Sequence, residues 1–127
     1  MKATMISLLQ QRMDKCTNEQ FWAVASLTAA DAFIVTAGKN VWSKIPYPFL
    51  LGAITLVTAY GIYFIIHRHF AFYRNRTAIA LLLADDPDAP DFLKTEPNLR
   101  TFNSLSGVAF YVVWVGLGYA MCLFAIG

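Results

Sequence analysis

Charged residues are scarce in this chain: Asp, Glu, Lys and Arg make up 14% of its 127 residues, against about a quarter in an ordinary soluble domain. With 57% of residues hydrophobic and a mean hydropathy of +0.49, too few polar side chains remain to cover a water-facing surface. Intrinsic disorder and a two-domain soluble enzyme are excluded, and lipid is the expected solvent for much of the surface. The net charge of +2 comes with no basic stripe interleaved with stacking aromatics, so no nucleic-acid partner is expected. There is no nucleophile set beside a base, no glycine-rich phosphate loop and no cysteine pair at metal-ligand spacing. No catalytic residue, cofactor or metal is therefore expected. The two cysteines, Cys16 and Cys122, fall in segments expected on opposite sides of a bilayer, which argues against an intrachain disulfide. Internal repeats and low-complexity segments are absent, and the first 18 residues lack the continuous apolar run of a signal peptide, so the amino terminus is expected to be retained.

What the chain does contain is three apolar blocks, and they specify an all-α integral membrane protein with an amphipathic amino-terminal helix and three transmembrane helices. In residues 1–18, Met5, Leu9, Met13 and Cys16 recur at helical spacing on one face. This helix is expected either to lie on the membrane surface or to pack against the chain's own cytoplasmic segment. Thr17-Asn18-Glu19-Gln20 has the form of a capping box and predicts the start of a first transmembrane helix over 19–38, stopped by Gly38. A short external turn over 39–45 leads to a second span over 46–66, with Pro46 and Pro48 in a first turn where missing amide donors cost little. Residues 67–105 form a cytoplasmic segment, a helical extension to about Ala84 followed by an acidic, proline-broken loop, and 106–127 form the third span.

Lys and Arg collect on the cytoplasmic side of membrane proteins. Lys2, Arg12, Lys15, Arg68, Arg74, Arg76, Lys94 and Arg100 fall on one side of this arrangement, and only Lys39 and Lys44 on the other. The expected location is a bacterial inner membrane, with the amino terminus cytoplasmic and the carboxyl terminus external.

Asp31 is the first candidate functional residue, because an ionised carboxylate at mid-span costs at least about 2.5 kcal/mol. It must be neutral, paired or facing water, and no Lys or Arg lies in the neighbouring spans. Its expected polar companions are Thr28, Thr55 and Thr58. Such a site is either a proton- or ion-sensitive group or a hydrogen-bonding contact between helices. His67, Arg68, His69, Arg74 and Arg76 form a basic collar expected to touch anionic lipid head groups. His67 and His69 project about 200° apart on a helix, so the two rings cannot share one metal ion. The run DDPDAPD lacks the glycine and closing glutamate of a calcium loop and is expected to solvate a turn. Ser26 with Ala30, and Gly116 with Ala120, are small-xxx-small pairs that let helix backbones approach closely. Tyr60, Tyr63, Phe64, Phe110, Tyr111 and Trp114 are expected to pack in the core.

The leading functional expectation is a non-enzymatic accessory or scaffold subunit of a membrane assembly, presenting its cytoplasmic segment to a partner. Its partners would be membrane lipids and either further copies of itself or other membrane subunits. The alternative is an oligomeric channel or membrane-disrupting effector, gated through the cytoplasmic segment, with Asp31 in the permeation path. An enzyme built on the region from His67 to Asp91 is a third reading.

Overall fold

The computed structural model describes residues 2–91 and 102–127, and the side chains of all of these except 102–105. The chain forms α1 (Lys2–Ala37), a single turn α2 (Lys39–Trp42), α3 (Tyr47–Leu83) and α4 (Phe102–Ile126). Among the described residues there is no strand. Three segments are long and apolar enough to cross a membrane: Lys2–Ala37, Tyr47–Leu83 and Ser106–Ile126.

Side-chain contacts fix the directions of the helices. Gln20 Nε2 donates to the Ile65 carbonyl at 2.8 Å, and Leu27 lies against Gly61, so α1 and α3 run antiparallel. Trp114 reaches Thr28, and Cys122 reaches Asp31, so α4 runs parallel to α1. The result is an up-down-up bundle in which each long helix touches the other two. The α3 seam of this bundle is Ile54, Thr58, Gly61, Ile65 and His69, all buried and spaced at three and four residues as one helical face requires.

The helices differ in length. With 36 and 37 residues, α1 and α3 each extend about 55 Å, well past a hydrocarbon core of about 30 Å. With 25 residues, α4 reaches about 38 Å. The antiparallel register pairs the first half of α1 with the last half of α3 as a two-helix hairpin that continues the bundle, and Cys16, Ile79, Ala80 and Leu83 are buried there.

One sequence expectation, the boundary at Thr17, changes on this point. The amphipathic helix over 1–18 and the first span are one continuous helix. The Thr17 hydroxyl donates back to the Met13 carbonyl at 3.2 Å instead of capping a new helix, and Gln20 is committed to α3. The capping-box pattern loses because α3 supplies a packing surface along the whole of α1, and tertiary contact outweighs a local stop signal. The first half of α1 lies along the last half of α3, with Cys16 buried between them. The helical extension expected after residue 66 is continuous with α3 as far as Leu83. Beyond it the Asp86 carboxylate accepts from the Asp88 amide at 3.0 Å, an aspartate turn. The remainder of the acidic loop, with Lys94 and Arg100, lies outside the described residues.

The turn between α1 and α3 follows its local chemistry. Gly38 adopts φ 78 and ψ 167, a region open essentially to glycine alone, and α1 ends at that residue. Trp42 folds back so that its indole donates to the Ile34 carbonyl at 2.7 Å, satisfying one of the acceptors that a helix end leaves unpaired. Pro46 opens α3, and its carbonyl accepts from Phe49 and Leu50 at 3.1 and 3.2 Å.

Most large apolar side chains in the apolar segments face outward: Phe124 is 87% exposed, Phe49 75% and Leu56 72%. Of the aromatics expected in the core, Tyr60, Tyr63, Phe110 and Trp114 are exposed instead, and Phe64 and Tyr111 are half-buried. In a lipid surround, as apolar as the side chains themselves, burying an aromatic within the protein would gain little.

Candidate functional site: the cleft between α1 and α4

Asp31 sits on the face of α1 that meets α4. The Cys122 thiol donates to Asp31 Oδ1 at 3.2 Å and approaches the Asp31 carbonyl at 3.8 Å. The other carboxyl oxygen, Oδ2, is pressed against Gly118, so closely that a methyl group there would overlap it. One turn away, Trp114 Nε1 donates to Thr28 Oγ1 at 2.9 Å while the Thr28 hydroxyl donates to the Val24 carbonyl at 2.8 Å. These contacts latch α4 onto α1 and leave a half-open cleft of about 400 Å³ beside them, lined only by residues of α1 and α4. Its walls are almost wholly apolar.

The four residues expected to form one intramembrane polar site are thereby divided. Asp31 and Thr28 share the α1–α4 face. Thr55 pairs instead with Tyr119, oxygen to oxygen at 2.7 Å, tying α3 to α4. Thr58 is buried in the α3 seam. Gly118 and Cys122, the residues that complete the Asp31 contact, were not among those the sequence singled out. The pattern Gly116-Leu117-Gly118 offers two glycines two positions apart, and only the position of α1 decides which one is close-packed.

A second polar layer lies where the bundle passes into the hairpin. Glu19 stands between Lys15, at 3.9 Å, and Arg68, whose Nε is 3.2 Å from Glu19 Oε2 in an ion pair lacking hydrogen-bond alignment. The Arg68 guanidinium also lies over the Phe64 ring, 5.2 Å from its centroid. The basic collar expected at the lipid head groups is therefore divided too. Arg68 turns inward to Glu19. His69 is buried with Nε2 unpartnered and packs on Tyr73, ring centroids 4.9 Å apart, so it is not available to a head group. His67 is half-buried beside Tyr63, Arg76 is half-buried, and Arg74 is exposed. The cause is the α1 extension, which covers this side of α3. Among the described residues, no three His, Cys, Asp or Glu side chains gather in a metal-binding group.

The expected small-residue contacts also lie elsewhere. Ser26, Ala30 and Ala120 are exposed, and a methyl group at Gly116 would meet nothing within 4 Å. Close approach within the chain occurs at Gly61, under Leu27, and at Gly118, under Asp31. Compared with known proteins, the chain matches no family model, no curated protein and no solved structure.

Proposed function

We propose that this protein is a small, non-enzymatic subunit of a membrane assembly. It associates through the outer faces of its spans and presents its cytoplasmic hairpin and acidic loop to a partner. The observation that carries this reading is the placement of its small residues. Ser26, Ala30 and Ala120 are exposed on the outer surface of the bundle, and at the half-buried Gly116 a side chain would meet open space. Small residues on a lipid-facing helix surface permit the close backbone approach on which helix association depends in a bilayer. In this reading the membrane is a bacterial inner membrane, and the amino terminus and the α1–α3 hairpin are cytoplasmic by the distribution of Lys and Arg.

The position of Asp31 at the α1–α4 contact, against Cys122 and Gly118 of its own chain, supports the subunit reading over an oligomeric channel or membrane-disrupting effector, because the side chain faces a neighbouring helix of one chain. The test is the mass of the protein in native nanodiscs, with co-purifying chains identified. A defined oligomer or a stoichiometric complex is expected, and Ala30→Leu or Gly116→Leu should disrupt it without loss of helix content. A monomer with no companion chain in the native membrane would overturn the reading.

A further inference from the structure

We propose that the α1–α4 cleft binds a lipophilic amine, an apolar body carrying a protonated nitrogen that docks on Asp31.

The cleft, at about 400 Å³, falls within the range of small-molecule sites, and such sites combine apolar walls with a few placed polar groups. Ala32, Val35, Leu117 and Met121 supply the apolar walls, and the Trp114 indole adds an aromatic side chain to the lining. The polar groups of the cleft have their donors already spent. The Thr28 hydroxyl donates to Val24, the Thr36 hydroxyl to Ala32 at 2.8 Å, and the Trp114 indole to Thr28. What remains is acceptor capacity, chiefly on Asp31, whose carboxyl can accept about four hydrogen bonds and receives one from the Cys122 thiol. A ligand must therefore donate. Charge makes the same demand, since residues 21–37, 47–66 and 106–126 contain no Lys, Arg or His and an acid in lipid is stabilised by a cationic partner. The shared chemistry is an alkyl or aromatic body with an ammonium group, supplied either by a free amphiphilic amine or by an aminophospholipid.

The test uses the full chain with Trp22→Phe and Trp42→Phe, which leaves Trp114 as the single fluorescent reporter in the cleft wall. Dodecylamine and dodecanol are titrated into it in phosphatidylcholine nanodiscs. A saturable change with dodecylamine is expected, with dodecanol weaker by at least about tenfold and Asp31→Asn weakening the amine by a similar factor. Ala32→Phe fills the cleft from an exposed position and should abolish the saturable phase, so the test stands even if Asp31→Asn fails to fold. Repeating the titration with phosphatidylethanolamine in the disc identifies the source. Competition means that the occupant is an aminophospholipid, and its absence means a free amine. A response that rises linearly with amine, equal binding of dodecanol, or unchanged binding in both variants would overturn the proposal.

Discussion

Gly116 and Gly118 lie two residues apart on one helix, at nearly the same depth, and the bundle treats them in opposite ways. Replacing either with alanine gives the helix the same gain in intrinsic propensity, up to about 1 kcal/mol, so comparing the two substitutions cancels that contribution and leaves packing. At Gly116 the new methyl group meets nothing within 4 Å. At Gly118 it overlaps Asp31 Oδ2 and sits 3.2 Å from the carboxyl carbon. The carboxyl must swing away, and the Cys122 hydrogen bond at 3.2 Å breaks with it. Overpacking of this kind costs about 1–3 kcal/mol, and the lost hydrogen bond contributes to that figure, since such bonds within membranes average only about 0.6 kcal/mol. Because the atom in the way is the movable end of the half-buried Asp31 side chain, Gly118→Ala should be less stable than Gly116→Ala by about 1 kcal/mol, the low end of that range, measured by reversible unfolding in bicelles. Asp31→Ala shortens the side chain that causes the overlap, so adding Gly118→Ala to Asp31→Ala should cost much less than adding it to the wild type. Equal stability of the two single variants, or full additivity with Asp31→Ala, would refute the placement of α4 on α1.

Three further outcomes follow from the same geometry. Gly38→Ala should cost about 1–3 kcal/mol, because φ 78 strains any side chain even in open space, whereas Gly52→Ala, helical and equally open, should be neutral or slightly stabilising; thermal unfolding in detergent compares them. Glu19→Gln should cost less than about 1 kcal/mol, since the Glu19 and Arg68 side chains keep 28% and 29% of their surface exposed; a double-mutant cycle with Arg68→Gln reads the pair. His69 lies three residues past the proposed end of the second span, and burial holds its pKa below the ordinary 6.5. The unfolded chain then binds the proton more readily than the folded one. The stability of the hairpin should be unaffected by His69 above that value and fall as pH drops below it, and His69→Phe should flatten this dependence in hydrogen exchange of residues 67–83.

The legible part of this protein lies in its local and periodic signals. Gly38 stops α1, Pro46 opens α3, and the helix after the second span meets no breaker before the acidic run. The capping-box pattern at Thr17 reads as a boundary only when α1 is considered alone, because its hydroxyl and the Gln20 amide have other acceptors once α3 is alongside. Asp31 was identifiable as a costly residue, yet its partners were not, since a glycine and a thiol 87 and 91 residues further along the chain carry no signal of proximity. His67 and His69 look alike in the sequence, and they differ because one faces the α1–α3 seam.

The sequence by itself determined that the chain is helical, that three segments are apolar enough to cross a membrane, and where the turn between the first two falls. These properties follow from hydropathy, length and backbone conformation, which act residue by residue. Tertiary structure alone decided which small residues are contacts and which are surface, that Asp31 latches α1 to α4 beside an open cleft, and that the first half of α1 and the last half of α3 form one hairpin. In lipid, an apolar side chain gains almost nothing by turning inward, so hydrophobicity does not say which face of a helix is buried. Shape and polar pairing make that choice, and both depend on which helix lies alongside.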